Sequence, residues 1–64
     1  MKNNIKELRK SMKLRQEDVA IRVGVTRQTI IAIENNRYDP TLQLAIRLAK
    51  LLNTTVEELF TLEV

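Results

Sequence analysis

The chain is 64 residues long and 44% hydrophobic, with one Gly, one Pro and two aromatic residues, Tyr38 and Phe60, and it reads as a single domain over residues 1–64. It contains no Cys and no His, which excludes disulfides, zinc sites built on those residues and Cys or His nucleophiles, and no apolar run approaches the ~20 residues that span a membrane. The net charge of +3 divides into +5 over residues 1–38 and −2 over residues 39–64, so one half of the chain suits a polyanionic surface.

Apolar residues recur at a period near 3.6, and the pattern predicts five short helices. The first spans about residues 4–13, with Ile5, Leu8 and Met12 on one face and Asn4 and Glu7 spaced as a capping box. The second spans about residues 16–23. Glu17 and Asp18 lie in its first turn, where the helix dipole favours acids, and Val19, Ala20 and Val23 form its buried stripe. Gly24 follows, suited to the left-handed conformation that ends a helix. A third helix begins after the N-cap Thr26 and runs to about residue 35; Ile30 and Ile33 share one face, and Gln28, Ala32 and Asn35 the opposite one. Residues 36–40 carry turn chemistry. A fourth helix spans about residues 41–52, with Leu42, Ala45, Leu48, Ala49 and Leu52 toward the core. A fifth begins at Thr55, paired with Glu58 as a capping box, and turns Val56, Leu59 and Phe60 inward. Residues 61–64 alternate polar and apolar, which is compatible with a short strand.

The most specific spacing lies between Gln16 and Glu34. Small Ala20 lets the third helix cross the second closely, and Gly24 permits the backbone reversal. Val19, Val23, Val25, Ile30 and Ile33 lock the two helices at a steep angle, so that one projects outward where it can enter a major groove. The run Gln16-Glu17-Asp18-Val19-Ala20, Gly24-Val25-Thr26-Arg27-Gln28-Thr29-Ile30 and Ile33-Glu34-Asn35 resembles the helix-turn-helix of the Cro and phage-repressor (Xre) family. The pattern continues through Asn36-Arg37, Pro40-Thr41-Leu42, Leu48-Ala49-Lys50 and Thr55-Val56-Glu57-Glu58-Leu59, covering about residues 5–60.

That resemblance implies an all-α fold, a compact five-helix lambda-repressor-like DNA-binding domain with its helix-turn-helix at about residues 16–35. It implies base contacts from Arg27 and Gln28, Arg matching guanine O6/N7 and Gln matching adenine N6/N7. It places Gln16 on a phosphate, and Thr26, Thr29, Asn36, Arg37 and Tyr38 near phosphates or sugars. It also pairs Arg9 with Glu34 in a structural role, beside Ala20 and Gly24. Three positions depart from the family. Arg15 stands where a Ser or Thr cap usually precedes the Gln; it cannot accept the orphan N–H bonds but can reach a phosphate. Ala32, at a further base-reading position, can only touch a thymine methyl. Ile31 replaces a residue that is more often polar.

The implied function is a transcriptional regulator, a repressor that binds a palindromic operator in double-stranded DNA as a homodimer. No cofactor, metal, small-molecule ligand or membrane is expected, and the expected compartment is the cytoplasm. Leu44 and Leu51 widen the apolar arc of the fourth helix, and with Phe60, Leu62 and Val64 they point to a dimerisation region at about residues 42–64. The alternative is an antitoxin-like or other protein-interaction module that uses DNA binding for autoregulation; it needs a binding tail, and few residues follow Phe60. An enzyme needs a pocket with convergent polar groups, and nothing in the sequence suggests one.

Overall fold

The computed structural model describes residues 1–62. It contains five helices, α1 (Ile5–Ser11), α2 (Gln16–Val23), α3 (Arg27–Glu34), α4 (Leu42–Leu51) and α5 (Val56–Leu59), flanked by two short strands, β1 (Lys2–Asn3) and β2 (Phe60–Thr61). The first four helices are stopped by one device. A residue with positive φ follows each: Lys13 at 59°, Gly24 at 80°, Asn36 at 59° and Asn53 at 58°. The next N–H then reaches back to a carbonyl of the last turn, from Leu14 to Arg9 (2.8 Å), Val25 to Ala20 (3.0 Å), Arg37 to Ala32 (2.9 Å) and Thr54 to Ala49 (2.9 Å). These Schellman closures satisfy carbonyls that a helix end would otherwise leave bare, and they reverse the chain sharply. At the opposite ends, the hydroxyls of Thr26, Thr41 and Thr55 accept from the N–H groups of Thr29, Leu44 and Glu58.

The core is built from Ile5, Val19, Ala20, Val23, Ile30, Ile33, Leu44, Ala45, Leu48, Ala49, Leu52, Leu59 and Phe60. α2 packs on both α3 and α4, and α4 packs on α5. Ala20 is buried in this core. An added Cβ at Gly24 would meet only the Arg47 guanidinium at 3.8 Å, an ordinary contact, so conformation rather than space selects glycine there.

Several expectations about faces need correction. Asn4 makes no capping bond; the Asn3 carboxamide oxygen instead accepts from the Ile5 N–H (3.2 Å). Met12 is 42% exposed rather than buried, because α1 ends at Ser11 and the turn through Lys13 starts at Met12. On α4 the buried stripe is Leu44, Leu48 and Leu52 with Ala45 and Ala49, and Leu42, two residues from Leu44, falls on the far side at 71% exposure. Leu44 and Phe60, read as surplus surface for a partner, are consumed by the chain's own core, and Leu51 packs partly buried against it. Val64 lies outside the described residues. The C-terminal strand starts at Phe60, one residue early, and its partner is the N-terminal β1, antiparallel with Lys2 opposite Thr61 and Asn3 opposite Phe60. No helix among the described residues is long and apolar enough to cross a membrane.

Lys13 holds a left-handed conformation with a full side chain, which costs an L-residue roughly 1–2 kcal/mol relative to glycine before glycine's extra unfolded-state freedom is counted. Lys13→Gly is therefore expected to stabilise the fold by about 0.5–1 kcal/mol, read as a higher urea midpoint at an unchanged slope. A lower midpoint would contradict the assigned backbone conformation.

Candidate nucleic-acid interface

α3 has an exposed outer side and is held from behind. Ile30 and Ile33 are buried beneath α3, and the Thr26 hydroxyl caps its first turn, accepting from the Thr29 N–H at 3.3 Å. On the outer side Arg27 and Gln28 are exposed, and neither side chain hydrogen-bonds to another among the described residues. Ala32 and Ile31 are half-buried on the same helix. The Thr29 hydroxyl lies 3.1 Å from that of Thr26, so both are engaged in local capping while retaining outward lone pairs.

One carboxylate organises the ground behind this helix. Arg9, on α1, donates from Nε to Glu34 Oε2 (2.6 Å) and from Nη2 to Glu34 Oε1 (3.1 Å), and its Nη1 reaches the Leu14 carbonyl (3.3 Å). The ion pair is buried, with side-chain exposures of 9% and 4%. The hydrogen bond to Glu34 holds the Arg9 guanidinium above its already high pKa, so the charge is permanent. Gln16 Nε2 donates to the same Glu34 Oε1 at 3.2 Å. The first residue of α2 is thereby tied to the last residue of α3.

In front of this network lies a shallow cleft of about 380 Å³ lined by Arg9, Arg15, Gln16, Glu17 and Arg27. Of its three arginines, Arg9 and Arg15 are already paired with Glu34 and Asp18, and Arg27 has no ion pair among the described residues. The missing cap before α2 is compensated from inside the helix. Asp18 accepts from the Arg15 backbone N–H (2.8 Å) and from Arg15 Nε (3.3 Å), one half of a capping box. The backbone bond first, and then the Arg15 guanidinium, hold the Asp18 carboxyl below the usual carboxylate range. At the other end of α3, Asn36, Arg37 and Tyr38 are all exposed in the turn toward α4.

Three features of this surface were not anticipated from sequence. The Asp18 half-box had a signal, an acid three residues after the cap position. The Gln16–Glu34 bond had none, since it joins residues 18 apart through a tertiary crossing. Nor had the role of Asn3, whose Nδ2 donates to the Ile33 carbonyl (2.8 Å) and to Asn36 Oδ1 (3.3 Å). It depends on the strand pairing that carries Asn3 to the end of α3.

The helix-turn-helix family profile matches residues 5–59 of the chain. A protein of Methanocaldococcus jannaschii, named as an uncharacterized HTH-type transcriptional regulator, is 49% identical over 63 residues, covering 98% of this chain and 96% of that protein. Among solved structures, the DNA-binding domain of the P22 c2 repressor superposes with a TM-score of 0.77 at 28% identity, covering 83% of this chain and 70% of that one. The restriction-modification controller protein C.AhdI from Aeromonas hydrophila superposes with a TM-score of 0.79 at 30% identity, covering 88% and 85%.

Removing one member of a buried ion pair strands the other charge, at about 3–5 kcal/mol, whereas an apolar replacement of both is far less damaging. Arg9→Met and Glu34→Leu are each expected to destabilise by about 3–5 kcal/mol in urea unfolding, and the double substitution by less than either. Additive losses would show that the two side chains are not coupled.

Proposed function

The chain belongs to the Xre/Cro-type helix-turn-helix family, and we propose that it is a sequence-specific transcriptional repressor that binds a palindromic DNA operator as a homodimer, with α3 in the major groove. The observation that carries this reading is the pairing of exposed Arg27 and Gln28 with the buried Ile30 and Ile33 on one short helix. Two side chains suited to base edges stand at the start of a helix that cannot rotate or recede. Arg27 reads guanine through O6 and N7, Gln28 reads adenine through N6 and N7, and Ala32 touches a thymine methyl. Gln16 and Arg15, at the mouth of the arginine-lined cleft, clasp one backbone. Thr26, Thr29, Asn36, Arg37 and Tyr38 meet flanking phosphates and sugars. The likeness to the DNA-binding domain of a phage repressor supports the repressor reading.

The homodimer is supported by apolar surface that the fold leaves over. Leu42 and Ile46 stand one turn apart on α4 at 71% and 40% exposure, and Leu62 is 74% exposed. Scattered exposed apolar residues are ordinary, but Leu42 and Ile46, at i and i+4, lie side by side on one helix. A two-fold related copy supplies a second α3 about one DNA turn, ~34 Å, away.

Gln28→Ala is expected to lose about 1–3 kcal/mol of discrimination at one base pair, while Arg15→Ala weakens binding to all sequences alike. Competition binding with duplexes altered one base pair at a time, at fixed salt, measures both. An equal loss on specific and random DNA for Gln28→Ala would contradict its base-reading role.

A further inference from the structure

The Asn3 side chain sits where donors and acceptors leave no choice of orientation. The Ile5 N–H can only donate, so the atom that meets it at 3.2 Å is the Asn3 carboxamide oxygen. The Ile33 carbonyl can only accept, so the atom that meets it at 2.8 Å is Asn3 Nδ2. These two backbone anchors fix the amide, and its remaining N–H points to Asn36, which must accept through Oδ1 at 3.3 Å. The orientation of one amide thus dictates that of the next. Asn36 is exposed, and among the described residues its Nδ2 donors meet no partner.

Asn36 occupies the left-handed position that closes α3, with its own N–H on the Ile33 carbonyl at 3.0 Å. α3 has eight residues, about 12 Å at 1.5 Å per residue, close to the ~12 Å width of the major groove. With Arg27 in the groove at one end of α3, as the DNA-binding reading has it, exposed Asn36 at the other end would lie near the groove's edge, where the phosphates run. A phosphate oxygen only accepts, so it is recognised by the NH2 end of a carboxamide and repelled by the oxygen end.

We propose that Asn3 is a positioning residue for DNA binding, which through Asn36 presents an amide donor to a backbone phosphate. The proposal rests on the DNA-binding reading above. It also links the β1–β2 ribbon to the nucleic-acid interface, because the pairing of Asn3 with Phe60 carries the side chain to the end of α3.

The test uses the full chain and a fluorescein-labelled duplex of mixed sequence, since a phosphate contact weighs on every sequence alike. Asn3→Ala is expected to weaken binding about three- to tenfold, the loss of one hydrogen bond to a charged group at an exposed site. Asn36→Gly, which keeps the left-handed turn and deletes the amide, should weaken it by a similar factor. In the Asn36→Gly background, Asn3→Ala should weaken it no further. Asn36→Asp retains an acceptor for Asn3 and turns its other carboxylate oxygen toward DNA, so it should bind more weakly than Asn36→Gly. That ordering is readable even if Asn3→Ala does not fold. A loss from Asn3→Ala that persists undiminished beside Asn36→Gly would reduce Asn3 to a structural clamp and overturn the proposal. So would Asn36→Asp binding as well as Asn36→Gly. Failure of the unaltered chain to bind the duplex at low salt would overturn the DNA-binding reading itself.

Discussion

The Glu34 carboxylate receives three hydrogen bonds, two from Arg9 on α1 and one from Gln16 at the start of α2, and it is itself the last residue of α3. Three helices therefore meet on one buried charge. In a chain this short the hydrophobic core alone leaves a narrow margin of stability, and a displaced Glu34 would leave the buried Arg9 charge without its carboxylate. The position of α3 is consequently held at both ends, by the Thr26 cap at its start and by the Arg9–Gln16–Asn3 contacts at its finish. Arg9 and Gln16 also line the cleft that holds Arg15 and Arg27, so the contacts that hold the fold border the surface proposed for DNA.

Around that tie the rest of the structure follows from how the helices stop. Four residues in left-handed conformation, of which Gly24 alone is glycine, end four helices within one residue of their caps and send the chain back sharply. Short helices bury one face each, and on the other side of α3 they leave Arg27 and Gln28 exposed. Ala20 is buried on α2, the helix that packs on both α3 and α4. A rigid helix with an unencumbered polar face is what reading base edges requires, because a contact worth a few kcal/mol of discrimination is lost if the side chain must first be ordered.

The five helices and the turn at Gly24 were legible in the sequence because each carries local signals: a period of 3.6, Thr caps and a glycine at the reversal. The pairing of Arg9 with Glu34 was reached through family resemblance, and the geometry agrees with it. What was not legible is tertiary. Leu42 shares the hydrophobicity of Leu44, and only the packing of α4 on α2 and α5 decides that Leu44 is core and Leu42 is surface. Phe60 faces the core, as the pattern of the fifth helix has it, but it does so from β2, whose pairing with β1 joins two distant parts of the chain and is announced by no local pattern. Asn3 has no sequence signature for the same reason. On α4 the exposed large apolar residues are thus Leu42 and Ile46, not Leu44.

Repression at an operator by a dimer makes a claim about both DNA sequence and stoichiometry, and one experiment reads the two together. Binding sites are selected from a random duplex DNA library at near-physiological salt, and the number of chains bound per selected duplex is then measured. The expected result is an enriched inverted repeat with half-sites about one helical turn apart and two chains bound to each duplex. Weak, salt-sensitive binding with no enriched sequence, or a single chain on an asymmetric site, would contradict it.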